Sequence, residues 1–175
     1  FKIISSIAYL EERILDPDDK VYNRGFFRNE RLYPNFTLDD TAPPGDYDFV
    51  RAFKRSSNTY FIHYALTPDD RTDQWQQGKR ILLDWGNRFR LGKKTIQPWA
   101  IAGDELPSPI REGEGYFPPR GNEFKKVDQY GKRSRWSAGD VANLCIGQGE
   151  IIVTPLQMAV MTSAVANGGK LMQPR

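Results

Sequence analysis

The 175-residue chain contains one cysteine and one histidine. A lone cysteine excludes an internal disulfide and a thiolate metal site. With His63 as the only histidine, His-based ligand sets and a Ser-His-Asp triad are not expected within this chain. Cys145, between Leu144 and Ile146, reads as a buried small hydrophobe. No run of about 18 apolar residues occurs, so no segment reads as a membrane span. Charge of one sign is also scarce: the net charge is +3 and the charges are scattered, a weak basis for a nucleic-acid or membrane-surface partner. Hydrophobic residues make up 39% and aromatic residues 13%, which places the chain among globular sequences rather than disordered tails. The length suits about one domain.

The first helix is predicted over residues 1–15, where Ile3, Ile7, Leu10 and Ile14 form an amphipathic stripe and Asp16-Pro17 ends it. This helix starts at residue 1 without a cap and reads as cut, so the lack of a leader carries no information. Lys2 sits at its positive end, where an ammonium is poorly placed; in isolation it reads as an ordinary surface lysine. Residues 16–45 read as loop or small hairpin, with Val21-Tyr22 and Phe26-Phe27 as short extended pieces. The triplet Asn35-Phe36-Thr37 matches a glycosylation acceptor and is given no weight.

Helical texture returns over residues 69–92 around Trp75, Ile81, Leu82 and Trp85, with Gly86 or Gly92 closing it. A proline-rich stretch follows that reads as irregular, and Glu105 and Glu114 in it are better explained as solvated loop acids than as a catalytic pair. Lys125, Lys126, Lys132, Arg133 and Arg135, interleaved with Phe124, Tyr130 and Trp136, resemble a strand-binding patch, but a solvated basic loop explains them better, and no nucleic-acid partner is expected. Thr154-Pro155-Leu156-Gln157 is a capping box with proline at the first helical position. It opens a helix, expected to be buried, that runs to Ala166 and is stopped by Asn167-Gly168-Gly169.

The chain is organised around Arg55-Ser56-Ser57-Asn58-Thr59-Tyr60-Phe61, a polar elbow between two amphipathic runs at 46–54 and 58–66. Ser-x-Asn alone is most often a helix cap. In order along the chain, however, stand Phe1-Lys2 at a helix start and Ser56-Ser57-Asn58-Thr59-Tyr60-Phe61. Next come Leu91-Gly92-Lys93-Lys94-Thr95 with Gly103-Asp104-Glu105-Leu106-Pro107, then Ile146-Gly147-Gln148-Gly149 with Val153-Thr154-Pro155-Leu156-Gln157-Met158-Ala159 and Ala166-Asn167-Gly168-Gly169. This ordered set resembles the transpeptidase domain of the class B penicillin-binding proteins. Trp136 ahead of Gly139-Asp140 and the Ile-Gly-Gln-Gly wording look more like the elongation-type members. A serine β-lactamase shares only the first two motifs.

The resemblance implies an α/β fold of the penicillin-binding protein transpeptidase and serine β-lactamase type, with residues 1–175 part of one such domain and covering mainly its helical portion. It implies a D,D-transpeptidase that cross-links peptidoglycan through a serine acyl-enzyme on D-Ala-D-Ala stem peptides and is a target of β-lactams. Lys2 would deprotonate the serine, which needs its amine neutral part of the time; Ser56 would relay a proton; Asn58 would hydrogen-bond the lysine or the substrate amide. The serine itself would stand two places before Phe1, and the Lys-Thr/Ser-Gly strand beyond Arg175, leaving an incomplete site and exposed apolar surface where the sheet docks. No cofactor is implied. A membrane glycosyltransferase is the expected partner and the periplasmic face of the bacterial inner membrane the expected location, the anchor lying outside these residues. A non-catalytic penicillin-binding or sensor module of the same fold is the alternative.

Overall fold

The computed structural model describes residues 1–28, 37–66, 74–95, 113–120, 124–127 and 133–174. Asn35, residues 103–107 with Glu105, and Tyr130 and Lys132 of the basic cluster lie outside them. Among the described residues the elements run α1 (Lys2–Glu11), β1 (Val21–Asn23), β2 (Phe26–Arg28), β3 (Thr37–Asp39), β4 (Gly45–Tyr47), α2 (Phe49–Arg55), α3 (Asn58–Leu66), α4 (Gln74–Arg88), β5 (Phe124–Val127), β6 (Arg133–Arg135), α5 (Ala138–Cys145) and α6 (Pro155–Ala166). The strands pair antiparallel as β1 with β4, β2 with β3 and β5 with β6. The described parts of the polar stretch 16–45 therefore contribute to two small ladders.

Helix α3 is the centre. Thr59, Tyr60, Phe61, Ile62, Tyr64, Ala65 and Leu66 are all buried on it, and α1, α2, α4, α5, β1 and β2 pack around it. Burying each of the large apolar side chains contributes about 1.5–3 kcal/mol. A helix apolar on every side has to be enclosed.

Helix α1 turns a different face inward from the one its aliphatic spacing suggests. Ile4, Ser5, Ser6, Ala8 and Tyr9 are buried, Ile3 and Ile7 are half-buried, and Leu10 is 37% exposed. The reason is packing distance. Ser5 and Ala8 let the backbone approach its neighbours, and the buried hydroxyls find carbonyls: Ser5 Oγ donates to Cys145 O at 2.6 Å and Ser6 Oγ to Lys2 O at 2.7 Å. Tyr9 also reaches across, donating to Phe61 O at 3.2 Å.

Gly86 does not end a helix; it lies inside α4. A Cβ there would stand 2.1 Å from the Phe117 ring, so the glycine makes room for an aromatic from a later loop. Arg90 and Gly92, with φ of +58° and +68°, reverse the chain instead.

Helix α6 carries both halves of its capping box, between Thr154 and Gln157. Gln157 is 2% exposed and its amide also fastens two other segments. Its Nε2 donates to Lys93 O at 2.8 Å and Glu114 O at 2.7 Å, and its Oε1 accepts from Gly92 N at 3.4 Å. The helix is buried on one face only, at Gln157, Val160, Met161 and Ala164, whereas Ala159 and Ser163 are exposed and Val165 is 47% exposed. Ile152 and Met172, also in the C-terminal third of the chain, are 65% and 58% exposed.

Candidate active site

Three elements converge on Lys2. Helix α2 begins under an Asp48 cap that accepts from Arg51 N–H at 2.7 Å. It ends at Ser56, which takes the left-handed conformation at φ +55°, and its N–H closes onto Ala52 O and Phe53 O. Ser57 then starts α3, its Oγ accepting from Tyr60 N–H at 3.3 Å. A non-glycine residue held left-handed costs about 1–2 kcal/mol. The elbow persists because caps on both sides hold it.

Lys2 reaches this elbow from 54 residues away. Its Nζ donates to Ser56 Oγ at 2.9 Å, to Asn58 Oδ1 at 2.8 Å and to the Ser56 carbonyl. Three acceptors match the three protons of an ammonium. Asn58 is oriented from its other end, Nδ2 donating to Asp39 O at 3.0 Å, which leaves Oδ1 for the lysine. The Phe61 ring lies beneath, its centroid 5.7 Å from Nζ. Lys2 is thus half-buried and anchored, not the solvated surface lysine its isolated position suggests.

Burial lowers the pKa of Lys2, and the Asp40 carboxylate and Cys145 oppose that shift. Cys145 is fully buried in α5, and burial pushes its thiol up to about 12. It is neutral near pH 7, so of these two neighbours Asp40 is the anion that acts. The thiol is also shielded from reagents. At pH 8 the native protein is expected to give no labelling with iodoacetamide and one alkylated cysteine in denaturant, read by intact mass; native labelling of Cys145 would contradict its placement.

The turn after α5 closes the site from behind. Gly147, at φ +84°, packs so closely that a Cβ would stand 2.8 Å from Cβ of Phe1, next to Lys2. The Ile146-Gly147-Gln148-Gly149 stretch thus backs the start of α1. His63 is half-buried on α3, with its pKa lowered by burial. Glu114 is an exposed acid 3.7 Å from Lys94. Trp136 is 9% exposed and so is not available as a stacking platform. Sequence reasoning passed over Asp39 and Asp40; both lie in a polar loop with no periodic signal. Among the described residues no cluster of His, Cys, Asp or Glu could hold a metal ion, and no helix is long and apolar enough to cross a membrane.

Residues 121–175 match the family model of the penicillin binding protein transpeptidase domain. The whole chain aligns with the peptidoglycan D,D-transpeptidase MrdA of Acinetobacter baumannii, 34% identical over 173 residues. The chain is thus similar along nearly its whole length to penicillin-binding protein transpeptidases. The MrdA of Haemophilus influenzae is 27% identical over 169 residues. These alignments cover 99% and 97% of this chain but 22% of each relative, so the chain spans about a fifth of the length of the curated relatives it matches. The fold is that of Pseudomonas aeruginosa PBP2, solved in complex with WCK 5153, at a TM-score of 0.73 and 24% identity over 99% of this chain and 32% of that one. The chain accordingly has the α/β fold of the penicillin-binding protein type, here mainly in its helical portion.

Proposed function

We propose that the chain is part of a single transpeptidase domain and contributes the lysine and Ser-x-Asn half of a serine D,D-transpeptidase site. The observation that supports this reading most directly is Lys2 Nζ held between Ser56 Oγ and Asn58 Oδ1 at 2.9 and 2.8 Å. A lysine that is to take a proton needs burial to destabilise its charge and fixed partners to aim it. Lys2 has both. In this reading a serine from outside the 175 residues attacks the penultimate D-Ala carbonyl of a stem peptide, with Lys2 as its base. Ser56, hydrogen-bonded to the lysine, passes a proton toward the leaving amine. The Asn58 carboxamide fixes Lys2 and faces the substrate amide. The acyl-enzyme is then resolved by an amine of a second peptide, one hard step divided into two.

A β-lactam would acylate the same serine. The setting is that of an elongation-type enzyme at the periplasmic face of the inner membrane, working beside a membrane glycosyltransferase. The test is the intact mass of the full-length protein after incubation with a penicillin. One stable adduct is the expected result. A folded protein that binds the drug reversibly and gains no mass would overturn the catalytic reading in favour of a non-catalytic penicillin-binding module.

A further inference from the structure

We propose that Asp40 is a positioning residue of this site, a carboxylate that touches no reacting atom but holds the elbow so that Ser56 and Asn58 face Lys2. The inference rests on the transpeptidase reading of those three residues. Asp40 follows β3, and both of its oxygens are engaged. Oδ2 accepts from Ser57 Oγ at 2.7 Å and from Thr59 N–H at 2.7 Å, and Oδ1 accepts from Ala42 N–H at 3.0 Å. Its own N–H donates to Gly25 O at 2.9 Å, which ties it to the β1–β2 turn. By gripping Ser57 and Thr59 it brackets Asn58 on both sides. The preceding residue completes the grip, since the Asp39 carbonyl takes the Asn58 amide.

A second buried side chain supports the same strand of the elbow. Asn23 is 0% exposed; its Oδ1 accepts from Thr59 Oγ1 at 3.1 Å and from Gly25 N–H at 2.8 Å, and its Nδ2 donates to Ala42 O at 3.1 Å. The donors around Asp40 explain why the position suits a carboxylate and not an amide. Both oxygens face N–H or O–H groups, so an asparagine would satisfy one and turn its own NH₂ against the other. Hydrogen bonds to a charged acceptor are also roughly twice as strong as neutral ones. That surplus offsets the left-handed Ser56, which persists only where its surroundings over-determine it. Burial alone would raise the pKa of Asp40, but the N–H groups of Ala42, Thr59 and Asn58 and the Ser57 hydroxyl outweigh it and keep the group ionised.

Position and charge make separable contributions. Among the described residues the titratable side chains interacting with Lys2 are Asp40 and the Cys145 thiol. Asp40 stabilises the ammonium, so removing its charge lowers the pKa of Lys2 and moves the pH limb of acylation to lower pH. Loosening the elbow instead lowers the plateau of that limb.

The experiment is the pH dependence of acylation by a fluorescent penicillin in the full-length protein, for wild type, Asp40→Asn and Ser57→Ala, with a melting curve for each. Asp40→Asn is expected to lower the plateau roughly ten- to a hundredfold and to shift the midpoint to lower pH. Ser57→Ala removes one donor but keeps the charge; its plateau is expected to fall several-fold with the midpoint unmoved. An Asp40→Asn protein acylated at the wild-type rate with an unmoved midpoint overturns the proposal. So does one whose loss of rate merely tracks its unfolded fraction. A wild-type protein that takes up no acyl group sinks the transpeptidase reading itself, and the role of Asp40 with it.

Discussion

Acylation by a penicillin is expected to fall by about 10²- to 10⁴-fold in both Lys2→Ala and Lys2→Arg, the range a positioned general base supplies. The pair separates two roles. Alanine removes base and charge together. Arginine keeps a cation near Ser56 Oγ and Asn58 Oδ1 but cannot give up its proton in a protein. If Lys2→Arg retained a rate close to wild type, the lysine would act as a fixed charge and the base would lie elsewhere. The wild-type rate should rise with pH as the amine becomes neutral. Because burial lowers the pKa of Lys2, that rise is expected below the ordinary lysine value of about 10.4. Melting temperatures check the comparison, since Lys2 is half-buried and its truncation takes a partner from Ser56 Oγ and Asn58 Oδ1.

Gly78→Ala is expected to be strongly destabilising. Gly78 is buried in α4 where the helix crosses α3, and a Cβ would stand 1.8 Å from the Ala65 carbonyl oxygen and 2.8 Å from its carbon. A side chain in the way can rotate, whereas the backbone of a central helix cannot, so the two helices must move apart. Overpacking of this kind costs about 3 kcal/mol or more, which for a protein of this size lowers the melting temperature by roughly 10 °C. Gly113→Ala is the control: the nearest atom to its Cβ is Thr154 Cγ2 at 3.8 Å, an ordinary contact. Equal melting of the two variants would mean that α3 and α4 do not approach as described.

What could be read from the residues in order was whatever is decided locally. Thr154, Pro155 and Gln157 lie within four positions and specify the start of α6 without help from the rest of the fold. The elbow is similar, because Ser56 and Ser57 cap helices that their own neighbours form. Gly86 was unreadable for the opposite reason: the ring that requires it belongs to Phe117, 31 positions on. The inward face of α1 was hidden because Ser5 and Ala8 are chosen for how closely they let α1 approach, which hydrophobic spacing does not register. At the site, no local signal joins Lys2 to residues more than fifty positions away. That link came from resemblance to a family, and Asp40, outside every motif used, was missed.

The clasp made by Gln157 bears on how this domain tolerates change. One amide secures the backbone at Gly92 and Lys93 and again at Glu114, so a single side chain of α6 ties together two segments far apart in sequence. A change at this one residue is therefore felt at the start of α6, at the chain reversal after α4 and at Glu114 together.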